Sequence, residues 1–266
     1  VLKQRIITGF ILAIMAIVVL FLVPMSYFIA AISIMMLLAA WEWSQLAGFK
    51  TPTAKVMYVI LIAVSLCVVS YLPTVPVLML ASLWWLLALY WITQYPKQTK
   101  AWSSVGVRSV MGILVLAPSW LAINTIRASQ SGAATLFFMF LLIWAADIGA
   151  YFSGSRWGKT KLMPKVSPGK SWQGFFGGFI VSLLVAMIGV YCLPIHFASW
   201  IELLVVVVLV NIYSVTGDLL ESMLKRLNKV KDSGRLLPGH GGILDRLDSM
   251  TAAAPIFLLG LLYFYK

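Results

Sequence analysis

The chain has 266 residues, 62% of them hydrophobic and only 11% charged, with a mean hydropathy of +0.97. A soluble domain is closer to half apolar and a quarter charged, so composition excludes an ordinary soluble fold, and long unbroken apolar runs in place of short alternating ones speak against a transmembrane β-barrel. The net charge is +12, and the two cysteines both sit inside apolar runs, which leaves neither a disulfide framework nor Cys/His zinc spacing.

In chain order, the apolar runs predict about nine membrane-spanning helices, over 6–24, 27–47, 56–73, 76–95, 105–124, 133–153, 174–193, 199–220 and 249–265. The fold class is therefore all-α, a polytopic integral membrane protein. The basic start (Lys3, Arg5) and the apolar run behind it read as a retained first span, because no small-x-small cleavage site follows. No linker divides the chain, so residues 1–266 are read as one membrane-embedded domain. With the N-terminus placed in the cytoplasm, strict alternation puts 18 of the 20 Lys and Arg residues inside and leaves only Arg127 and Lys266 outside. That asymmetry is what the positive-inside rule demands.

Two inside segments, 154–173 and 221–248, hold eleven of the twenty bases and are the candidate active-site loops. Topology and anionic lipid account for two or three bases per loop. Eleven in two loops suit a polyanionic ligand better. Neither loop resembles a folded nucleic-acid reader, so no nucleic acid is expected. The first loop alternates Arg156, Lys159, Lys161, Lys165 and Lys170 with Gly, Pro and Ser but lacks the spacing of a P-loop. Ser171 is placed to cap the helix that follows.

Acids are scarce, and each is informative. Glu202 reads as interfacial. Glu42, toward the inner end of the second span, has two readings: a structural acid that caps or pairs within the bundle, or a functional one. Asp147 sits in the cytoplasmic half of an apolar helix, where an ionisable group is expensive and faces a partner or a cavity. Asp218 and Glu221 lie at i and i+3, on one helix face, with Ser222 on the same side of Asp218. Asp245 and Asp248 repeat that spacing at the start of the last span. Carboxylates from two helices meeting at one membrane surface could gather on a cation, and oxygen donors without His or Cys favour magnesium or manganese over zinc. The alternative for Asp245 and Asp248 is simple helix N-terminal charge. Between the pairs, the glycines around Gly241 and Gly242 permit a loop whose amides cradle phosphate oxygens, or merely a tight turn.

The stretch from Ser222 to Asp248 fits S-x-x-K-R-x4-K-D-x-G-x2-L-P-x-H-G-G-x-x-D-R-x-D, with Lys225, Arg226, Lys231, Asp232, Gly234, Leu237, Pro238, His240, Gly241, Gly242, Asp245 and Arg246 at fixed spacing. This resembles the signature of the phosphatidate cytidylyltransferases, or CDP-diacylglycerol synthases. The upstream stretch WAADIGAYFSGSRWGKTKLMPKVSPGKSWQG is similar to that family's second conserved block. One departure is Gln173, where many members carry an acid. The resemblance implies transfer of a cytidylyl group from CTP to phosphatidate, giving CDP-diacylglycerol and pyrophosphate, by a multi-spanning enzyme of the inner membrane. It further implies a site facing the cytoplasm, a homodimer, a divalent metal and a second, monovalent cation such as potassium.

On this reading Asp218, Asp245 and Glu221 are metal ligands, and Asp248 and Asp147 support them. Lys225, Arg226, Lys231 and Arg246 receive phosphate oxygens, with Asp232, Gly241 and Gly242 beside them. Ser222, Ser167 and Lys170 contact nucleotide or lipid head, and His240 orients a phosphate or protonates the leaving group. Two rivals share parts of the pattern: a CTP-dependent lipid kinase resembling dolichol kinase, and an ion or metabolite transporter using Asp147 and Glu42. The spacing of CDP-alcohol phosphotransferases is not present.

Overall fold

The computed structural model describes residues 2–195, 197–234, 236 and 241–264, the side chains of 2–10 and 12 excepted. Ten helices run in chain order: α1 (Leu2–Leu22), α2 (Met25–Ala47), α3 (Pro52–Val69), α4 (Thr74–Gln94), α5 (Thr99–Trp102), α6 (Val105–Ala128), α7 (Gly132–Trp157), α8 (Trp172–Cys192), α9 (Trp200–Leu227) and α10 (Leu244–Phe264). Among the described residues eight of them, α2 to α4 and α6 to α10, are long and apolar enough to cross a membrane. The first expected span falls on α1. The all-α, polytopic membrane class is therefore what the chain adopts.

Three features depart from the sequence expectation. The four-residue α5 was not anticipated, being too short to carry a periodic signal. The 154–173 segment, expected as a loop, begins as the last turn of α7 and then forms a small antiparallel hairpin, β1 (Lys161–Met163) and β2 (Ser167–Ser171), with Lys161 opposite Ser171. The 221–248 segment is helical at both ends: α9 continues through Leu227 and α10 starts at Leu244. Charged residues at a helix end look like loop in a hydropathy profile, although the backbone hydrogen bonds continue through them.

Local chemistry sets the helix ends. Thr51, Ser104 and Ser171 are N-caps of α3, α6 and α8, accepting from the amides of Ala54, Val107 and Gly174. Ser199 and Glu202 form a reciprocal capping box on α9, the hydroxyl accepting from Glu202 N and the carboxylate from Ala198 N at 2.9 Å. Helix α2 stops at Gly48, whose φ of 99° closes the last turn in the left-handed region.

In lipid, helices associate through close packing and buried polar bonds rather than through hydrophobic exclusion of water. The deepest layer joins α2, α6, α9 and α10, with Met36, Leu116, Ile123, Leu220, Met223 and Ala253 almost wholly buried. Large apolar side chains such as Met57, Leu83, Ile180 and Ile188 point outward, as a lipid-facing surface requires. Asn211 of α9 donates to Ser182 Oγ of α8 at 3.0 Å, and Ser182 donates to the Leu142 carbonyl of α7 at 3.1 Å, a polar thread through three helices.

At one end of the bundle, Arg108 of α6 is buried and donates to the Leu46 carbonyl at 2.6 Å. Asn228, which ends α9, donates to the same carbonyl at 2.8 Å. The Leu46 carbonyl, one of those left without a helical partner at the C-terminus of α2, is thus bound by a cation and an amide. This clamp gathers the ends of α2, α6 and α9 at the face where the charged segments lie.

Candidate active site

The site is built from the last turns of α9 and the first turns of α10, closed by the β1–β2 hairpin and by α7. Helices α9 and α10 touch closely because Gly217 lies against Asp248: a methyl group at 217 would overlap the Asp248 carbonyl oxygen. That contact sets the acids of the two helices side by side.

Two lysines organise the acids. Lys225 Nζ donates to Asp245 Oδ1 at 2.7 Å and lies 3.1 Å from Glu221 Oε1. Lys170, reaching in from β2, places Nζ 2.6 Å from Asp218 Oδ2. Ser222 Oγ donates to Asp218 Oδ1 at 3.1 Å, as the i, i+4 spacing predicts. Lys225 also acts electrostatically on Asp218, and Asp248 interacts with both Asp218 and Glu221. Asp147 feels Lys170, Asp218 and Arg246. Five carboxylates (Asp147, Asp218, Glu221, Asp245 and Asp248) thus share one field with three cationic side chains, Lys170, Lys225 and Arg246. Counted at full ionisation, the group carries two more negative than positive charges.

Glu221 is 2% exposed at the side chain, and its burial is met by the Lys225 ammonium 3.1 Å from Oε1. A buried, unsatisfied carboxylate costs free energy unless a cation meets it. Asp245 has further donors: its Oδ2 accepts from Ser233 N at 3.0 Å, Ser233 Oγ at 3.0 Å and Gly242 N at 2.7 Å. Asp248 Oδ1 accepts from Ser249 N at 2.6 Å.

Beside the acids lies a cavity of about 230 Å³ between α7, α8, α9 and the hairpin, lined by Asp147, Tyr151, Lys170, Phe175 and Asn211 among small residues. Six of its fourteen lining residues are glycine or alanine. Tyr151, Phe152, Trp172 and Phe176 are exposed around it.

The expected site residues divide into two groups. Asp147, Lys170, Asp218, Glu221, Ser222, Lys225, Gly242, Asp245, Arg246 and Asp248 come together. Arg226 turns instead to the hairpin, donating from Nε to the Val166 carbonyl at 3.1 Å. Lys231 and Asp232 are exposed on the loop, Asp232 lying against Gly241, whose φ is 83°. Ser167 begins β2, opposite Met163. His240 lies outside the described residues. Gln173, the departure from the family pattern, accepts from Thr160 N at 3.2 Å and so pins the base of the hairpin. Among the described residues no three metal-ligating side chains are drawn close enough to enclose an ion; the two lysines hold Asp218 and Asp245 instead.

One participant escaped the sequence reading. Ser233 carries no mark that separates it from other loop serines. Glu42 did carry one, a lone acid in an apolar helix, and the capping alternative is the one realised: its carboxylate accepts from the N–H groups that open α10.

Fold and site together define a polytopic membrane protein with a compact acidic and basic centre at one end of its bundle. Residues 3–264 match the Cytidylyltransferase family, and the chain belongs to that family. It is 41% identical over 258 residues to the phosphatidate cytidylyltransferase of Pseudomonas aeruginosa, covering 96% of this chain and 95% of that one. It is 38% identical over 295 residues to the protein of that name from Haemophilus influenzae, covering 99% and 98%. With the Bacillus subtilis protein the identity is 40% over 184 residues, 68% of this chain and 67% of that one.

Proposed function

We propose that this chain transfers the cytidylyl group of CTP to phosphatidate, forming CDP-diacylglycerol and pyrophosphate in phospholipid biosynthesis. The observation that carries the reading is the convergence of Asp218, Glu221, Asp245 and Asp248 with Lys170 and Lys225, in a chain matched over nearly its whole length by phosphatidate cytidylyltransferases.

The nucleophile is a phosphatidate phosphate oxygen, and the electrophile is the α-phosphorus of CTP. A P–O bond forms between them and the bond to the β-phosphate oxygen breaks, releasing pyrophosphate. The obstacle is the approach of two anions, so positioning and charge neutralisation supply the catalysis. Lys170 and Lys225 are ion-paired with the acids and are placed to turn toward phosphate oxygens when the substrates arrive. Arg246 and Lys231 add positive charge at the mouth. Arg226 anchors the hairpin, so its contribution runs through the position of Lys170. The apolar cavity beside Asp147 suits the glycerol and acyl roots of a lipid approaching sideways from the bilayer, with the exposed aromatic residues at its rim.

The donor set fits a hard divalent cation. It consists of carboxylate oxygens alone, drawn from the touching ends of α9 and α10. Asp218, Asp245 and Glu221 would hold magnesium or manganese, and a monovalent ion such as potassium is the proposed second cation. When bound, such an ion withdraws charge from the α-phosphate and the departing pyrophosphate.

The 154–173 and 221–248 segments would face the cytoplasm across the inner membrane, and a homodimer is the proposed assembly. Purified protein in detergent micelles with phosphatidate, magnesium and CTP labelled at either the α- or the γ-phosphate tests the reaction. Label from the α position should enter the lipid and γ label should leave as pyrophosphate. Lipid carrying the γ label would make the protein a lipid kinase and refute the assignment.

A further inference from the structure

Glu42 is the most deeply buried acid outside the charged cluster. It sits on α2, 1% exposed, about two hundred positions before the segment it contacts. A carboxylate in an apolar bundle persists where donors compensate its burial. Here the donors are Ile243 N to Oε1 at 3.1 Å, Leu244 N to Oε2 at 2.8 Å and Ser233 Oγ to Oε2 at 2.9 Å. The first two are free N–H groups at the N-terminus of α10, where the helix dipole also favours negative charge. Glu42 therefore caps α10 from a different helix. The loop is moulded around it, since a methyl group at Gly234 or Gly242 would overlap the Glu42 carboxylate.

The same contacts lead to Asp245. Ser233 Oγ stands 2.9 Å from Glu42 Oε2 and 3.0 Å from Asp245 Oδ2, and its single proton serves one carboxylate at a time. Gly242, packed on Glu42, donates its amide to Asp245 Oδ2. Glu42 thus holds both groups that fix one oxygen of Asp245 and leave the other for Lys225.

We infer that Glu42 is a positioning residue for the transfer reaction, acting through Ser233 and the first turn of α10 to set the Asp245 carboxylate. The inference rests on the proposed place of Asp245 as a metal ligand. Glu42→Gln keeps the size but offers one acceptor oxygen and turns an NH₂ group toward backbone donors. Ser233→Ala removes the bridge and leaves the cap in place, so it remains informative if Glu42→Gln folds poorly.

The experiment is steady-state kinetics with CTP, phosphatidate and magnesium on the full chain in detergent. Alongside it, the magnesium concentration that gives half of the metal-induced rise in melting temperature is measured. Both variants should need about tenfold more magnesium in both measurements, the cost typical of losing a group that orients a metal ligand. Glu42→Asp should recover part of the loss, and Glu42→Gln/Ser233→Ala should be no worse than the poorer single variant, because both act on one path. Wild-type magnesium requirements per folded enzyme, or strictly additive losses, would overturn the inference. Asp245→Asn run in parallel separates the two claims. If it is inactive while the Glu42 and Ser233 variants behave as wild type, the positioning role fails alone. If it is active, the metal-ligand reading falls and the inference with it.

Discussion

Asp245 is the residue on which most of the site's contacts meet. One oxygen faces three donor groups, Ser233 N, Ser233 Oγ and Gly242 N, and the other takes the ammonium of Lys225. Asp245→Asn keeps the shape but removes the charge, and its NH₂ must face either those donors or Lys225. Turnover should fall by at least about a hundredfold, since an electrostatic group at a phosphoryl centre is worth several kcal/mol, while membrane insertion and the amount of folded protein stay near wild type. Label transfer from CTP and gel filtration in detergent measure the two halves of that statement. Near-normal turnover would remove Asp245 from the site. Spacing alone predicted that Asp218, Glu221 and Ser222 share a face, because helix periodicity is local. It could not predict which base would meet which acid, because Lys170 reaches Asp218 from a hairpin that has no periodic signal.

Two contacts between elements hold α10 in place. Pro255 lies inside α10 and cannot donate to the carbonyl four residues back, that of Thr251. The Ser119 hydroxyl of α6 lies against that carbonyl and against the Val115 carbonyl of its own helix, and its one proton can serve either; Thr251 in turn donates its hydroxyl to the Asp248 carbonyl at 2.8 Å. Ser119→Ala should lower stability by about 1–2 kcal/mol, the cost of a buried unpaired carbonyl, seen as a reduced melting temperature in detergent. The second contact is at Gly217. Gly217→Val would drive a side chain into the Asp248 carbonyl and force α9 and α10 apart, so activity should be lost although the helices still insert. Full activity in that variant would mean that the two acid pairs need not be held together.

For the molecule as a whole, the strong prediction is its orientation. Cys192 is the exposed last residue of α8, at the opposite end of that helix from Ser171 and the hairpin. With the site facing the cytoplasm, Cys192 lies at the outer surface. A membrane-impermeant maleimide added to intact spheroplasts should therefore label a Cys67→Ser variant, which keeps Cys192. Labelling only after the membrane is opened would invert the topology. On that orientation the segments at the site end would carry both the topological charge and the charge that meets the acids.

Sequence by itself determined the membrane class, most helix positions, the basic face and the two acid pairs, because hydropathy over some twenty residues and i, i+3 spacing are properties of neighbours along the chain. It also marked Glu42 as an acid needing a partner. Only the tertiary structure decided what that partner was, that Lys170 and Lys225 stand among the acids, that Arg226 is spent on the hairpin, and that the charged segments continue as helix. Those outcomes depend on close approach between elements far apart in sequence, through Gly217, Gly242 and the Arg108–Asn228 clamp, and long-range packing leaves no periodic trace in the order of the residues.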